Sequence, residues 1–185
     1  MKKTLIFIWE IAKIAIIALA IVIPIRYFLF QPFFVRGQSM EPNFGNGDYL
    51  IVDEISYRFR EPERGEVIVF KSPHDSSQRL IKRIVGLPGE RIEIKDNKVA
   101  VYKDDVLQVL DESEYLPSDF KTDGDMQIVL GQDQYFVLGD NRGFSYDSRR
   151  FGILDKESII GRAFLRVWPF TKFETPDYSV EIIDI

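Results

Sequence analysis

The sequence contains no cysteine and only one histidine, His74, among its 185 residues. The lack of cysteine excludes thiol proteases, thiol transpeptidases and metal sites built on cysteine, and no disulfide is required for the fold. His74 lies in the polar stretch 72–77, which is typical of a solvated loop, so a Ser-His-Asp triad is not expected. Any serine-based chemistry in this chain therefore needs a different base.

The charge balance offers no basic surface for nucleic acid. Acidic residues outnumber basic ones by 29 to 24, which gives a net charge of −5 and no basic stripe. Hydrophobic residues make up 45% of the chain, enough for a real core in one domain. Neither an internal repeat nor a low-complexity segment is present.

Apolar residues are concentrated near the N-terminus. Between positions 14 and 34, only Arg26 and Gln31 interrupt a run of 21 residues. A helix needs roughly 20 residues to cross a bilayer. Lys2, Lys3 and Lys13 favour a cytoplasmic N-terminus, although Arg26 and Arg36 on the other side reduce the charge bias. We therefore predict a short cytoplasmic segment over 1–13, a single-pass transmembrane anchor over 14–34 and an extracytoplasmic domain over 35–185, which places the protein in the plasma membrane.

Two alternatives compete with an uncleaved anchor. Residues 18–20 (ALA) fit the crude pattern of a secretory signal cleavage site, but the apolar residues 21–23 and Pro24 follow at once, where a polar mature sequence is expected. A buried helix of a soluble protein fits less well, because the stretch is apolar on all sides and lacks an amphipathic face.

Ser39 follows this apolar run closely, within residues 36–42 (RGQSMEP). A serine hydroxyl is a weak nucleophile unless a neighbouring group takes its proton. With histidine set aside, the remaining common activator is a lysine that burial keeps neutral.

Lys82 fits that requirement better than the other lysines. An alternating pattern over residues 79–85 (RLIKRIV) places Leu80, Lys82 and Ile84 on one face of a strand. Full burial can lower a lysine pKa by ~3 to 5 units, which would make Lys82 a base near neutral pH. The pattern is also typical of an edge-strand lysine whose ammonium group reaches water.

Four segments resemble the conserved boxes of the type I signal peptidases. They are residues 37–42 (GQSMEP), 64–70 (RGEVIVF), 79–90 (RLIKRIVGLPGE) and 139–149 (GDNRGFSYDSR), and they occur in the order of that family. The resemblance implies a membrane-anchored serine endopeptidase with a Ser-Lys dyad. Such an enzyme removes N-terminal signal peptides from exported preproteins after small residues, in an Ala-x-Ala pattern, without metal or cofactor.

The resemblance also implies roles around the dyad. Ser39 attacks the scissile carbonyl, Lys82 takes its proton, and the backbone N–H of Ser39 helps to bind the oxyanion. Gly37 stands where some relatives have a serine that completes the oxyanion hole. Ser145 matches a serine that orients the lysine, although residues 143–144 (Gly-Phe) depart from the Asp-Asn of many relatives.

Further family positions match residues that buttress the site through charge pairing, namely Asp140, Arg83, Asp147 and Arg149. Without the resemblance, these would be read as ordinary Asp-Arg pairs in a surface turn. A calcium loop built on Asp140, Asn141 and Asp147 is disfavoured, because the spacing of an EF-hand is absent.

The family's substrate pocket consists here of five apolar residues. We expect it to accept an extended peptide with small residues at alternate positions, added as a strand to a sheet edge. The expected partners are signal-peptide-bearing preproteins and the lipid bilayer, and we expect a monomer. The pocket residues are Phe33, Val35, Met40, Leu80 and Ile81.

The predicted fold is mostly β, an antiparallel catalytic sheet with a small second β region, preceded by the transmembrane helix. Residues 90–131 correspond to a variable β insertion, and the acidic, turn-rich part from 103 to 126 is expected to lie away from the chemistry. A hairpin is predicted at Asp96-Asn97. The other predicted strands cover residues 49–52, 67–70, 79–85, 91–95, 99–102, 134–138 and 163–168.

Other serine-based functions fit the sequence less well. The S-x-x-K match at residues 118–121 lacks the accompanying motifs of β-lactamases, and G-x-S-x-G is absent. A self-cleaving repressor-type Ser-Lys protease would carry a DNA-binding domain instead of an anchor. The remaining alternative is an inactive membrane-anchored β module that binds exported peptides.

Overall fold

The computed structural model describes residues 2–28, 30–103, 106–118, 120–170, 175–176, 178 and 181–184, with the side chains of 2–3, 5, 23–28, 30 and 181–184 left out. Helices and strands follow in this order: α1 (Lys2–Phe28), β1 (Phe30–Phe34), β2 (Tyr49–Asp53), β3 (Val67–Lys71), β4 (Arg79–Gly86), β5 (Arg91–Lys95), β6 (Lys98–Lys103), β7 (Val106–Asp111), β8 (Met126–Val129), β9 (Gln134–Leu138), α2 (Ser148–Phe151), β10 (Leu154–Asp155), β11 (Ile159–Trp168) and β12 (Glu181–Asp184).

The strands form two antiparallel sheets. The larger sheet has the order β1-β2-β11-β3-β4-β9-β10, and the smaller has the order β12-β7-β6-β5-β8. The prediction of a mostly antiparallel β protein with a second β region is therefore confirmed. The predicted hairpin is present as well, since β5 and β6 pair around Asp96 and Asn97, whose φ angles of 51° and 63° are those of a tight hairpin turn.

The N-terminal segment differs from the predicted boundaries. Helix α1 already begins at Lys2, and residues 30–34, assigned to the anchor from their apolar character, are strand β1, which pairs with β2 from Phe30↔Asp53 to Phe34↔Tyr49. Hydropathy alone cannot separate a short apolar strand from the end of a helix. Over the described side chains, no helix combines the length and the apolar character needed to cross a membrane. Leu29 lies outside the described residues.

Three apolar clusters hold the sheets together. In β3, Val67 and Val69 belong to a cluster on one face of the large sheet, whereas Ile68 and Phe70 belong to a cluster on the other. A third cluster joins the two sheets. At this junction a side chain on Gly86 would come within 2.8 Å of Phe136 Cβ and within 2.6 Å of Ile92, so close packing of the sheets favours glycine there.

Candidate active site

Lys82 lies in the middle of β4, between Leu80 and Ile84 on the same face and opposite Ile68 of β3. The predicted shared face of these β4 side chains is confirmed. Lys82 is only 2% exposed. Its Nζ donates a hydrogen bond to Ser39 Oγ at 2.8 Å and another to the Ile81 carbonyl at 2.7 Å. The lysine is therefore an interior residue and not an edge-strand lysine that reaches water.

The ammonium form of Lys82 is disfavoured by its surroundings. Burial lowers the pKa of Lys82 from 10.5 to about 8, against the opposing attraction of the Asp147 and Asp140 carboxylates. No carboxylate oxygen of the described residues forms an ion pair with Lys82. Near neutral pH, an appreciable fraction of this lysine is therefore the free amine, which can accept a proton.

Ser39 is held in a short irregular segment between β1 and β2. Gly37, with a φ of +90°, turns the chain and donates its N–H to Asn46 Oδ1 at 3.0 Å. Met40 is completely buried and fixes the segment to the core. The Ser39 carbonyl accepts a hydrogen bond from the Asn141 N–H at 3.1 Å. The hydroxyl is thus oriented by backbone contacts on both sides.

The loop after β9 approaches Ser39 at Gly139. A side chain at this position would lie 2.5 Å from the Ser39 carbonyl oxygen and 2.2 Å from Ser145 Oγ, so glycine is required for the approach. The backbone N–H of Ser39 itself donates to no acceptor among the described residues. This N–H is free to bind a substrate oxygen, and Gly37 adds no side-chain donor beside it.

Two buried Asp-Arg pairs lie behind the dyad. The Asp140 carboxylate accepts hydrogen bonds from Arg83 Nε and Nη2, each at 2.9 Å, and both side chains are at most 2% exposed. Asp147 receives Arg149 Nε and Nη2 at 2.9 Å each, together with the Gly139 N–H at 3.0 Å. Burial alone would raise the pKa of Asp147, but Arg149 holds it below its usual value. The four residues predicted to support the site are thus paired in the structure.

The acidic segment after β7 lies closer to this machinery than predicted. Glu112 accepts two hydrogen bonds from Arg142, at 3.0 and 2.5 Å, and the Tyr115 ring centroid lies 4.0 Å from Arg83 Cζ. Arg142 in turn donates to the Gly139 carbonyl at 3.0 Å. The insertion therefore supports the loop beside Ser39, contrary to our expectation. Loop composition alone gave no sign of these pairings, since they join positions far apart in sequence.

Ser145 and Met40 are placed differently from their predicted roles. Ser145 is buried, and its hydroxyl helps to lower the pKa of Asp147, whereas Lys82 Nζ bonds to Ser39 and the Ile81 carbonyl instead of to Ser145. Met40, expected in the substrate pocket, belongs to the core together with Val35 and Leu50. An apolar residue next to a nucleophile satisfies either role in a sequence pattern, and its complete burial decides for the core.

The other four predicted pocket residues line one groove. The groove has a volume of about 380 Å³ and reaches the Ser39–Lys82 pair. Val35 and Ile81 are buried in its floor, and Phe33 and Leu80 are half-buried at its sides. The remaining lining residues are polar or exposed, namely Phe34, Arg36, Ser39, Ser77, Arg79 and Lys82.

The residues of the three alternative sites, a histidine triad, a calcium loop and an S-x-x-K motif, do not have the geometry that those sites require. His74 is exposed, and its ring lies 6.5 Å from the Tyr146 ring. Asp140 and Asp147, which the disfavoured calcium loop would need, are paired with arginines, and the described residues contain no cluster of three or more potential metal ligands. Ser118 of the S-x-x-K match is exposed, and Asp119 lies outside the described residues.

Comparison with known proteins identifies relatives over most of the chain. Residues 8–168 match the family model described as "Signal peptidase, peptidase S26". A probable signal peptidase I-2 from Synechocystis sp. is 37% identical and is aligned over 95% of this chain and 81% of its own length. Signal peptidase IB from Staphylococcus aureus is 33% identical, covering 94% and 95%. A crystal structure of signal peptidase I from Enterococcus faecalis V583 is 31% identical with a TM-score of 0.46, covering 56% of this chain and 97% of that one.

Proposed function

Because the chain belongs to peptidase S26, the signal peptidase family of serine endopeptidases, we propose that it removes N-terminal signal peptides from exported preproteins. Ser39 is the nucleophile and Lys82 the general base. The observation that carries this proposal is the 2.8 Å hydrogen bond between Lys82 Nζ and Ser39 Oγ, at a buried lysine whose pKa is about 8.

The proposed reaction uses the dyad twice. The free amine of Lys82 takes the proton of Ser39 as Oγ attacks the scissile carbonyl, and the Ser39 N–H stabilises the oxyanion. The resulting ammonium returns the proton to the leaving amine, so that the mature protein departs and the signal peptide stays as an ester on Ser39. Lys82 then activates a water molecule, which hydrolyses the ester and frees the serine.

The groove supports specificity for small residues before the cleaved bond. Its floor at Val35 and Ile81 is apolar and leads directly to Ser39, and a volume of about 380 Å³ leaves space for short side chains. In an extended peptide, alternate side chains point to the same side. Residues one and three positions before the bond would therefore enter the floor, which fits the Ala-x-Ala pattern.

The N-terminal helix is proposed as the membrane anchor, with the N-terminus inside the cell and the β domain outside. Several of its described apolar side chains are more than half exposed, for example Ile8 at 58%, Ile16 at 61% and Leu19 at 55%. Such a surface is unfavourable in water and is stabilised in lipid. The short link from Phe28 to β1 would then hold the groove at the membrane surface, with the enzyme acting as a monomer.

The test is cleavage of a purified preprotein with an Ala-x-Ala boundary. We expect Ser39→Ala and Lys82→Met each to lower the rate by at least about 10³-fold while the circular dichroism spectrum is retained, since nucleophile and base act as a unit. His74→Ala is the matched control and should retain full activity. Binding of the preprotein without cleavage by the unmodified protein would favour the inactive β module instead.

A further inference from the structure

Two arginines stand at the rim of the groove. Arg36 follows the buried Val35 and Arg79 precedes the half-buried Leu80, and both arginines are exposed. The floor between them is apolar, and the lining contains no acidic residue. The rim is therefore cationic, although the whole chain carries a net charge of −5.

Neither guanidinium is neutralised by an ion pair with a described residue. Glu54 interacts electrostatically with Arg79 without forming an ion pair. The nearby Asp75 carboxylate accepts hydrogen bonds from Ser77 and Gln78. Most other arginines in the domain are held by carboxylates, so these two are available for an anionic ligand.

A peptide bound in the groove would bring one side chain to this rim. If the small residues one and three positions before the bond enter the floor, the residue between them points outwards because side chains alternate along an extended chain. That middle position is the x of Ala-x-Ala. An acidic side chain there would meet Arg36 and Arg79, whereas a basic one would be repelled.

Resting on the proposed function, we propose that Arg36 and Arg79 make the enzyme selective for preproteins with an aspartate or glutamate between the two small residues. Exposed charge pairs contribute modestly and are screened by salt. Two arginines acting together should therefore favour glutamate over glutamine at this position by about three- to tenfold in kcat/KM at low ionic strength. Lysine at the same position should be cleaved more slowly than glutamine.

The experiment measures kcat/KM for three otherwise identical peptides, containing Ala-Glu-Ala, Ala-Gln-Ala and Ala-Lys-Ala, with the full chain in a neutral detergent. The double variant Arg36→Gln/Arg79→Gln should cleave all three at similar rates, and Arg36→Lys/Arg79→Lys should retain most of the preference. Lys98→Gln, which removes one exposed positive charge in β6 of the smaller sheet, is the control and should leave the preference unchanged. About 0.5 M salt should weaken it in the unmodified protein.

Equal cleavage of the glutamate and glutamine peptides by the unmodified protein would overturn the inference. So would a preference that survives in the double glutamine variant. If the double variant slows all three peptides equally, and only on vesicles that contain phosphatidylglycerol, the arginines contact lipid headgroups and the inference also fails. Failure to cleave even the Ala-Gln-Ala peptide would instead refute the proposed peptidase function, so the two failures are distinguishable.

Discussion

Strand β4 carries two neighbouring basic residues, one on each face, whose pKa values shift in opposite directions. Lys82 and Arg83 are 2% and 1% exposed, but they point to opposite faces of the sheet. Burial acts against the charge of both. For Arg83 the paired carboxylate of Asp140 outweighs burial and the pKa is raised, whereas for Lys82 burial prevails and the pKa falls to about 8. Burial alone therefore does not turn a cationic side chain into a base. The side chain must also lack an ion pair with a carboxylate.

The arginines behind the site preserve this difference. The Asp140 and Asp147 carboxylates both attract a proton towards Lys82. Each of them is also paired with its own guanidinium, Arg83 or Arg149. Neither carboxylate forms an ion pair with Lys82 itself. The pairs thus direct both carboxylates to guanidinium groups, and Asp147 also holds the loop through the Gly139 N–H.

The largest expected effect on stability comes from removing the ion pair between Arg83 and Asp140. Asp140→Asn would leave the buried Arg83 guanidinium without its counter-charge, which costs about 3–5 kcal/mol of unfolding free energy. Urea denaturation at pH 7 measures this loss. The control Asp133→Asn removes an exposed carboxylate and should change stability by less than about 0.5 kcal/mol. A loss below about 1 kcal/mol in Asp140→Asn would mean that Arg83 is stabilised mainly by its other contacts.

A substitution at Lys82, on the other face of β4, should have the opposite effect and stabilise the protein. Lys82→Met should raise the unfolding free energy at pH 7 by about 1–3 kcal/mol, because the buried charge is costly and methionine fills a similar volume. The lysine pKa is about 8 when folded and 10.5 when unfolded. The unfolded chain binds more protons between these values, so the penalty is complete below pH 8 and disappears as the pH rises towards 10.5.

Denaturation curves of Lys82→Met and the unmodified protein at pH 7 and at about pH 10 test this expectation. The difference between the two proteins should shrink at the higher pH. A variant that is less stable at both values would show that the hydrogen bonds of Lys82 to Ser39 and Ile81 outweigh the cost of its charge.

The sequence, with the family resemblance, named the residues on both faces of β4 but not all of their contacts. Alternation around Lys82 predicted the face that it shares with Leu80 and Ile84, because a strand pattern fixes which residues share a face, but it left open whether the ammonium group reaches water. The contacts of Arg83 with Tyr115 and of Arg142 with Glu112 could not be predicted. They join segments about 30 residues apart through loop conformations, which no periodicity specifies. The same limitation applies to Met40, whose apolar character fits both pocket and core.

The pH dependence of cleavage sharpens the comparison further. Only the free amine of Lys82 can accept the Ser39 proton, so kcat/KM should rise about tenfold per pH unit below an apparent pKa of about 8 and level off above it. Asp147→Asn removes a charge that favours the ammonium form and should move this limb to lower pH. An unchanged apparent pKa for kcat/KM in Asp147→Asn would show that the carboxylate has no effect on the lysine. An apparent pKa near 10.5 in the unmodified protein would show that Lys82 is not desolvated during catalysis.

The smallest expected effect is that of the N-terminal helix on the chemistry itself. The truncated protein should lack residues 1–28 and start at residue 29. Removal of residues 1–34 would take β1 from the sheet and Phe33 from the groove. The side chains that bury Lys82 come from the β domain, so the truncated protein in detergent should keep the pH limb near 8 and lose less than about threefold on a short Ala-x-Ala peptide.

A membrane-inserted preprotein should respond differently to the same truncation. An anchor raises the effective concentration of substrate at the groove without altering the dyad, so preprotein cleavage on vesicles should fall by a larger factor than peptide cleavage. Kinetics on both substrates, with and without residues 1–28, measure the two factors. Equal loss on both substrates, together with a shifted pH limb, would place the helix within the environment that lowers the pKa of Lys82. The contrast between the two sides of β4 would then depend on more than the sheet and its loops.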